Sequence, residues 1–236
     1  MAVALITGSS RGIGRAVAGR LAADGFDIVV NYRDDAGAAD EVVKRVEAAG
    51  RRAVAVRADV ADPGELRGLF QVPEERFGCL DVFVGNAATV RYAAVADISD
   101  EHFDLMWRTN TRATLIGIRE SARRMRDGGR IVIVSSGAVV AAPPGVGPYA
   151  ASKAAGDVLV QTAARELGPR GITVNSVLPG PTRTEMLNVD PGLIAAQTPL
   201  GRVGEPEDIA DVVSFLASPS GGWITGQAIR AAGGLV

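Results

Sequence analysis

At the start of the chain, a short apolar segment leads directly into a glycine-rich turn and then into a helical pattern. The apolar run is Ala2–Thr7, which is typical of a strand buried on both faces. Gly8-Ser-Ser-Arg-Gly12-Ile-Gly14 follows, and a helical pattern then extends to Ala23. Glycines let backbone N–H groups approach a pyrophosphate, and a helix N-terminus favours its negative charge. This order predicts an α/β fold with a nucleotide site at the turn, although an ordinary strand–helix turn would explain the glycines as well.

Strand-like and helix-like segments alternate along the rest of the chain, which favours a doubly wound sheet. The predicted strands are Ala2–Thr7, Asp27–Tyr32, Ala53–Val56, Leu80–Val84, Arg130–Ser135, Ile172–Leu178 and Ala228–Arg230. The predicted helices include Ala36–Ala49, Glu65–Phe77, Ser99–Arg124, Tyr149–Leu167 and Glu205–Ala217. Because proline disrupts a helix interior, Pro73 predicts a kink or break near Gln71.

The composition does not change abruptly along the chain, so we expect one domain over residues 1–236. The expected fold is Rossmann-type, with helices on both faces of a mainly parallel, seven-stranded sheet. Residues up to about 135 form the predicted cofactor part, and residues 136–236 form the predicted catalytic and substrate part. Residues 185–201 are rich in proline and glycine, which predicts a lid-like segment over the site.

The composition is that of an ordinary globular protein and excludes several classes of function. Hydrophobic residues make up 47% and charged residues 22% of the 236 residues, and the net charge is −2 without a basic block, so nothing points to nucleic acid. The apolar runs are far shorter than the ~20 residues that span a bilayer, and no segment resembles a signal peptide. Cys79 and His102 are the only residues of their types, so no internal disulfide or Cys/His zinc site is expected. We therefore expect a cytoplasmic protein with no metal site and no membrane contact.

Ser136, Tyr149 and Lys153 are the candidate catalytic residues. Tyr149 and Lys153 are four residues apart, so they share one face of the predicted helix, and Ser136 follows a predicted strand. A phenol is a poor acid or base near neutral pH because its reference pKa is about 10, but a nearby ammonium lowers that pKa. Such a tyrosine can pass a proton to or from an alcohol oxygen. Tyr-x-x-x-Lys alone is common, and the alternative is an amphipathic helix that carries both residues by chance.

The end of the second predicted strand indicates which dinucleotide would bind. A carboxylate there would bond the ribose 2′-hydroxyl of NAD, whereas a cation would accept the 2′-phosphate of NADP. The strand ends in Asn31-Tyr32-Arg33, and both Arg33 and Arg11 can flank a phosphate. Asp34 and Asp35 come next, where they either weaken this assignment or begin the following helix. We expect NADP, as NADPH, rather than NAD.

Other candidate residues follow the remaining strands, where ligands of parallel sheets bind. Asp59 follows the third strand and either accepts from an adenine amino group or caps a turn. Asn86-Ala87 follows the fourth strand, and small residues there let a ribose approach the backbone. Thr184 lies beyond the sixth strand. Asn110 lies inside a predicted helix, where asparagine is mildly unfavourable, so it is either a surface residue or a distortion that holds a water.

In this order and at this spacing, the motifs resemble those of the short-chain dehydrogenase/reductase family along essentially the whole chain. The matching pieces are Thr7-Gly8-x-x-x-Gly12-x-Gly14, Asp59-Val60, Asn86-Ala87, Asn110, Ser136, Tyr149-x-x-x-Lys153 and Pro179-Gly180-x-x-x-Thr184. The resemblance implies that Tyr149 is the general acid in reduction and the base in oxidation, and that Ser136 holds the substrate oxygen. It also implies that Lys153 binds the nicotinamide ribose and lowers the pKa of Tyr149, and that Asn110 holds a water linking Lys153 to solvent.

The same resemblance implies which residues contact the cofactor. They are Gly8, Ser10, Arg11, Gly12, Ile13, Gly14, Asn31, Arg33, Asp59, Val60, Asn86, Ala87, Tyr149, Lys153, Pro179, Gly180, Thr182 and Thr184. Among them, Asp59 is expected at the adenine and Asn86 at the adenosine-side ribose. Thr184 is expected at the nicotinamide carboxamide or a phosphate.

Within the family, the chain is most similar to the bacterial 3-oxoacyl-[acyl-carrier-protein] reductases and related ketoreductases. Ser10–Gly14, Arg170–Asn175 and Gly201–Ala210 carry this likeness. It implies an NADPH-dependent carbonyl reductase acting on a 3-oxoacyl thioester or a polyketide-type ketone. The alternatives are an NAD-linked dehydrogenase of a small alcohol, sugar or steroid, and a non-enzymatic dinucleotide sensor.

The likeness also suggests macromolecular partners. Arg170 fits a place where the carrier-protein enzymes hold an acidic carrier, but Asp127 stands where a further basic residue is expected, which counts against a carrier. The family resemblance further implies a homotetramer, with the helices corresponding to Ser99–Arg124 and Tyr149–Leu167 packed across a dimer interface.

Overall fold

The described residues 2–236 of the computed structural model contain one sheet of seven strands, in the order β3-β2-β1-β4-β5-β6-β7. The strands are β1 Val3–Ile6, β2 Asp27–Tyr32, β3 Ala53–Arg57, β4 Val82–Gly85, β5 Arg130–Val134, β6 Thr173–Pro179 and β7 Ala228–Ala231. Each neighbouring pair is parallel, so the sheet is entirely rather than mainly parallel. The predicted Rossmann-type α/β fold is confirmed.

Helices connect the strands and cover both faces of the sheet. They are α1 Gly12–Ala23, α2 Ala36–Ala48, α3 Pro63–Leu69, α4 Val72–Phe77, α5 Asp100–Met106, α6 Ala113–Arg124, α7 Ala138–Ala141, α8 Gly147–Leu167, α9 Pro191–Gln197 and α10 Pro206–Ala217. Short 3-10 turns occupy Gly168–Arg170 and Pro219–Gly221. The segment predicted to be lid-like contains α9, whose first turn is capped by Asp190.

Two predicted helices depart from regular geometry where the sequence indicated. The predicted helix Glu65–Phe77 is broken on either side of Gln71, because Pro73 cannot continue a helix but fits the first turn of a new one. The predicted helix Ser99–Arg124 contains a π-helical turn, Trp107–Arg112, that separates α5 from α6. Asn110 lies within this turn and is buried rather than on the surface.

Two apolar layers hold the helices against the sheet. One layer joins α1, α2 and α10 to side chains of the strands, with Leu21, Val42 and Val213 fully or nearly fully buried. The other joins α3, α6 and α8 to the opposite face, and there the rings of Phe70 and Phe83 meet at 4.9 Å between centroids. Each large side chain that is fully buried contributes about 1.5–3 kcal/mol to folding. The rigid sheet between these layers fixes the positions of the strand ends.

The strand order reverses between β1 and β4, which are neighbours at the centre of the sheet. Connections from β1 and β4 leave toward opposite sides at this point, so a crevice opens beyond their carboxyl ends. The predicted cofactor and catalytic residues all lie in or next to segments that follow the carboxyl ends of strands, or on α8 and the π-helical turn. No helix of residues 2–236 is both long and apolar enough to cross a bilayer.

Candidate active site

The turn of residues 8–14, here called the cofactor turn, needs its three glycines for steric reasons. Gly8 and Gly12 have φ angles of +62° and +52°, in the left-handed region that favours glycine. A Cβ on Gly14 would lie only 2.4 Å from the carbonyl oxygen of Gly8. The backbone is therefore drawn into a tight cradle at the N-terminus of α1, where N–H groups and the helix dipole favour an anion.

Two further predicted residues of the turn, Ser10 and Ile13, lie toward the protein. Ser10 is buried, and the side chain of Ile13 packs against the apolar layer that contains α1. Their side chains therefore help to anchor the turn to the protein core, and their predicted contact with the cofactor stays a prediction.

The end of β4 is bonded directly to the cofactor turn. The Asn86 side-chain amide donates to the carbonyl oxygens of Thr7 at 2.9 Å and Gly8 at 3.0 Å. In return, Thr7 Oγ1 accepts from the backbone N–H groups of Asn86 at 3.0 Å and Ala87 at 3.1 Å. These bonds lock the reversal of strand order at the point where a dinucleotide is expected.

Asn31 supports the same turn from behind. Its side-chain oxygen accepts from the N–H of Gly8 at 3.0 Å, and its amide donates to the carbonyl of Ala58 at 3.0 Å. The residue is only 1% exposed. Its side chain is thus used to hold β2, β3 and the cofactor turn together, a supporting role different from the direct cofactor contact that was expected of it.

Asp59 and Val60 follow β3, where an adenine contact was one of two expectations. Asp59 Oδ1 accepts from the N–H of Ala61 at 2.9 Å, and the backbone N–H of Asp59 donates to Glu65 at 2.7 Å. Asp59 therefore caps a turn, which was the other expectation, while Oδ2 is left for a further bond. Val60 is buried beside it in the layer that contains α3.

Arg33 and Arg11 lie at the outer edge of this crevice. Arg33 follows β2 and pairs with Asp34 at 2.7 Å, and Arg11 in the cofactor turn pairs with Glu185 at 2.5 Å. All four side chains are largely exposed. Asp35 accepts from the N–H of Ala38 at 2.9 Å and so begins α2, which was one of its two expected roles.

The segment after β6 closes over the cofactor turn. Pro179 accepts from the N–H of Gly137 at 2.8 Å, which ties the segment to the residue after Ser136. Gly180 lies so close to Ala232 that a Cβ would come within 2.8 Å of its Cα. Thr182 Oγ1 donates to the carbonyl of Gly180 at 2.9 Å, and the Thr184 methyl group lies 3.3 Å from where a Cβ of Gly12 would be.

Ser136 and Tyr149 are brought together at the mouth of the sheet. Ser136 follows β5, and Tyr149 lies in the first turn of α8. Burial raises the pKa of the Tyr149 phenol, a hydrogen bond with Ser136 lowers it in part, and Tyr92 raises it slightly. The phenol therefore keeps its proton through neutral pH.

Lys153 is buried and lies close to Tyr149 in the sequence, and the prediction that its ammonium lowers the Tyr149 pKa stays a prediction. Lys153 Nζ is buried and donates to the carbonyl of Val134 at 2.7 Å. Burial lowers the pKa of Lys153 to about 8, so part of its charge is lost just above neutral pH. The pKa of Tyr149 is raised on balance, and desolvation is the largest cause.

Asn110 joins the π-helical turn to the catalytic helix. Its side-chain amide donates to Ser152 Oγ at 2.9 Å and to the carbonyl of Thr89 at 2.9 Å, and its oxygen accepts from the N–H of Thr89 at 3.0 Å. Its backbone carbonyl accepts from Thr114 at 2.7 Å and keeps a second lone pair. The expected distortion of the helix is confirmed, and the expected water stays a prediction.

Three polar residues of the site were missed by the sequence analysis. Ser152 is fully buried, accepts from Asn110 and donates to the carbonyl of Tyr149 at 2.7 Å. Ser135 donates to the buried Asp157 at 2.9 Å, beside Lys153. The sequence contained two signals for them: Ser152 directly precedes Lys153 inside a predicted helix, and Asp157 lies four residues after Lys153 on the same helix face.

Exposed apolar side chains lie on the three segments that follow β4, β5 and β6, and we call them the substrate rim. The segments touch: Tyr92 Oη donates to the carbonyl of Met186 at 3.4 Å, and Ala93 N–H donates to that of Gly145 at 3.0 Å. The members of the rim are Tyr92, Val95, Val140, Met186, Val189 and Leu193. A separate cavity of about 550 Å³ lies behind Gly180 and Pro181, and neither Tyr149 nor Lys153 lines it.

Known proteins match this arrangement over nearly the whole chain. The family model described as enoyl-(acyl carrier protein) reductase matches residues 8–236. A short-chain dehydrogenase from Burkholderia cenocepacia J2315, solved in complex with NADP, superposes with a TM-score of 0.95 at 41% identity, covering 98% of this chain and 96% of that one. The chain belongs to the short-chain dehydrogenase/reductase family.

Other similar members of the short-chain dehydrogenase/reductase family are named as reductases. Versicolorin reductase stcU of Emericella nidulans is 40% identical over 249 residues, covering 98% of this chain and 94% of the relative. The angucycline C-6 ketoreductase LanV, solved with bound NADP, superposes with a TM-score of 0.94 at 39% identity, covering 99% of this chain and 95% of LanV. The resemblance drawn from the motifs is confirmed at the level of an oxidoreductase family. Among residues 2–236, no group of three or more His, Cys, Asp or Glu side chains is arranged to hold a metal ion.

Proposed function

We propose that this protein is an NADPH-dependent ketoreductase that converts an apolar, polyketide-type ketone into a secondary alcohol. The observation that carries the proposal is the half-buried Tyr149 phenol beside the Ser136 hydroxyl, because partial loss of solvent raises the pKa of this phenol and so keeps its proton at neutral pH. A group that holds its proton is suited to give it to a carbonyl oxygen that is becoming an alkoxide. The reverse reaction needs a phenolate, which burial of Tyr149 disfavours.

The residues around the cofactor turn fit a dinucleotide with a 2′-phosphate. Gly14 lets the turn pack tightly on itself, because a Cβ there would clash with the Gly8 carbonyl, and N–H groups at the start of α1 suit a pyrophosphate. Arg33 and Arg11 lie at the outer edge, where a 2′-phosphate can compete with the exposed carboxylates of Asp34 and Glu185. Asp35 is engaged as the cap of α2 rather than free for a ribose hydroxyl. Two of the similar structures contain NADP.

The chemistry divides between the cofactor and the side chains of this chain. Bound NADPH would supply the hydride. Ser136 donates a hydrogen bond to the carbonyl oxygen and so stabilises its developing negative charge. Tyr149 gives its proton to that oxygen and is reprotonated along a path that begins at Lys153. Asn110 fixes the helix that carries both Tyr149 and Lys153, through its bond to Ser152.

The substrate rim supports an apolar substrate over a carrier-bound thioester. Its six side chains are apolar or aromatic, so an apolar ring would bury area that is now exposed to water. Arg170, the residue expected to meet an acidic carrier, instead pairs with Asp127 at 2.7 Å and donates to the carbonyls of Ala122 and Met125 at the end of α6. The likeness to versicolorin reductase and to an angucycline ketoreductase favours the same choice.

The test is a paired assay of cofactor binding and turnover. NADPH and NADH are titrated against the protein, and NADPH oxidation is then followed with polycyclic aromatic ketones and with 3-oxoacyl thioesters. We expect tighter binding of NADPH and turnover of the cyclic ketones. Tyr149→Phe should lower turnover by about 10²- to 10⁴-fold while NADPH still binds. Retained turnover in this variant, or preference for NADH and an alcohol, would overturn the proposal in favour of an NAD-linked dehydrogenase.

We also propose that the protein is a homotetramer of the kind expected from its family, and a cytoplasmic location stays a prediction. Phe103 of α5 and Trp107, the first residue of the π-helical turn, have stacked rings 5.2 Å apart that are partly exposed, and Leu115 and Val158 are exposed on α6 and α8. A second copy of the chain would bury these side chains. Light scattering at micromolar concentration should give the mass of a tetramer, and a monomer there would refute the assembly without touching the proposed chemistry.

A further inference from the structure

A buried carboxylate lies one helical turn beyond Lys153 and has no part in the chemistry described so far. Asp157 and Lys153 share one face of α8, and each is only 7% exposed. Ser135 Oγ donates to Asp157 Oδ2 at 2.9 Å, whereas Oδ1 is buried with no hydrogen-bond partner among residues 2–236. A buried carboxylate is costly unless another charge compensates it, so its place beside Lys153 calls for a physical reason.

Lys153 needs a nearby negative charge to stay protonated. Its Nζ is bonded to the neutral carbonyl of Val134, which orients the ammonium but does not balance its charge. Burial lowers the pKa of Lys153 and the charge of Asp157 opposes this, so that the pKa of Lys153 comes to about 8 with both effects included. Burial raises the pKa of Asp157 on balance, and the Ser135 hydrogen bond and the charge of Lys153 lower it in part. Each charge therefore reduces the cost of burying the other, through space rather than through a shared hydrogen bond.

The groups that face these two residues from neighbouring elements are uncharged. Ser135 follows β5, and Ser176 of β6 lies near the Asp157 carboxylate without a well-formed hydrogen bond. From the π-helical turn comes the amide of Asn110, which is bonded to Ser152. On the catalytic side stand the Tyr149 phenol and, beyond it, Tyr92 from the loop after β4, and burial raises the pKa of both phenols. Within residues 2–236, Asp157 is therefore the negative charge that acts on Lys153.

We propose that Asp157 is a positioning residue that keeps the Lys153 ammonium charged and thereby sets the upper pH limit of the reaction. The functional consequence rests on the proposed ketoreductase, because only there does Lys153 stand on the path that returns a proton to Tyr149. The electrostatic link between Asp157 and Lys153 belongs to the folded protein and can be measured without a substrate.

The chain contains only two lysines, Lys44 and Lys153, which makes the link directly measurable. Protein grown with ¹³C-labelled lysine gives two side-chain signals in NMR, and Lys44→Arg assigns them. In the wild type, we expect Lys153 to titrate near pH 8. In Asp157→Asn, its midpoint should fall by about one pH unit, while the Lys44 signal behaves as in the wild type.

The pH profile of turnover supplies the functional readout. If Lys153 must be protonated, kcat/KM for ketone reduction falls as pH rises through the Lys153 midpoint, and in Asp157→Asn this fall should begin about one unit lower. Asp157→Glu keeps the charge and should restore the profile toward that of the wild type. Glu166→Gln removes the same charge from an exposed position of α8 and should leave both the Lys153 signal and the profile unchanged.

A folded Asp157→Asn protein whose Lys153 midpoint equals that of the wild type would overturn the inference, even if its melting temperature has changed. If Asp157→Asn does not fold, Asp157→Ser takes its place, since it is also neutral, is smaller and can still bond to Ser135. A shifted Lys153 midpoint in a protein that reduces no ketone would overturn the proposed function and support the link. A shifted midpoint with a shifted alkaline limb would support both.

Discussion

The cofactor turn and the substrate rim lie on the same edge of the sheet, but they are built in opposite ways. In the turn, the side chains of Asn31, Asn86 and Thr7 form hydrogen bonds with backbone groups, and the surface that faces a ligand is backbone. In the rim, side chains such as Val189 and Leu193 are exposed. A site that presents backbone is specified by the protein's own hydrogen bonds. The contacts of a site that presents exposed side chains depend instead on the ligand that covers them.

The largest effect on stability and NADPH binding is expected from a substitution that disturbs the backbone of the cofactor turn. Gly14→Ala places a Cβ 2.4 Å from the carbonyl oxygen of Gly8, and so either the turn or α1 must move. We expect a loss of about 1–3 kcal/mol in stability and the loss of measurable NADPH binding. Thermal melting and a fluorescence titration with NADPH measure the two effects.

The matched control for this variant lies in the same helix. Gly19 has no heavy atom within 4 Å of where its Cβ would be, so Gly19→Ala should raise stability by about 0.5–1 kcal/mol and leave NADPH binding unchanged. Equal behaviour of the two alanine variants would mean that the tight cradle at Gly14 has no role in binding.

A smaller effect is expected at the exposed edge of the turn, where side chains replace backbone. Arg33→Ala removes a charge-assisted bond to a phosphate, which is worth about 1.5–3 kcal/mol, so the Kd for NADPH should rise roughly 10- to 100-fold. The Kd for NADH, which lacks the phosphate, should stay the same. Arg45→Ala, on the exposed side of α2, is the charge-matched control. Equal weakening of NADPH and NADH would remove Arg33 from the phosphate site.

The rim should respond more weakly still, and only toward the substrate. Leu193→Ser replaces an exposed apolar side chain on α9 with a polar one. Because the side chain would be only partly buried by a ketone, we expect KM to rise about 3- to 10-fold, with kcat and the Kd for NADPH unchanged. Steady-state kinetics at saturating NADPH measure this. An unaltered KM would exclude Leu193 from the substrate surface.

The smallest effect is expected where the two regions are joined by an exposed ion pair. Glu185, at the beginning of the lid-like segment, pairs with Arg11 of the cofactor turn, and both side chains are about 70% exposed. Such pairs contribute about 0–1 kcal/mol, so Glu185→Gln should leave the melting temperature within experimental error. The substitution should also free Arg11 to contact NADPH, so the Kd for NADPH should fall about two- to threefold while the Kd for NADH stays the same. Weaker binding of NADPH would show that the ion pair helps to form the site.

The same contrast explains how far the sequence alone could lead. The strand–turn–helix start, the alternation of elements and the break near Gln71 follow from local rules, and each was found in the structure. The roles of Asn31 and Asp157 were not predicted, because they depend on which elements meet. Asn31 turns inward only because Gly8 and Ala58 lie on either side of it in space.

The pKa of Tyr149 likewise depends on tertiary packing. The spacing of Tyr149 and Lys153 indicates a shared helix face, but it says nothing of how deeply that face is buried. Burial raises the Tyr149 pKa and lowers that of Lys153, so both groups move toward their neutral forms. A sequence pattern indicates the neighbours of a titratable group along a helix, whereas the packing around the group decides whether it is charged at neutral pH.

The strand order also has a consequence for how the protein is made. β1 is synthesised first but lies at the centre of the sheet, and one of its edges pairs only with β4. Until residues 82–85 leave the ribosome, a nascent chain that has already paired β1 with β2 carries an open and wholly apolar strand edge, the kind of surface that invites aggregation. Asn86 arrives directly behind β4 and closes the cofactor turn. The open edge of β1 is therefore covered in the same step of synthesis that supplies the hydrogen bonds of Asn86 to the cofactor turn.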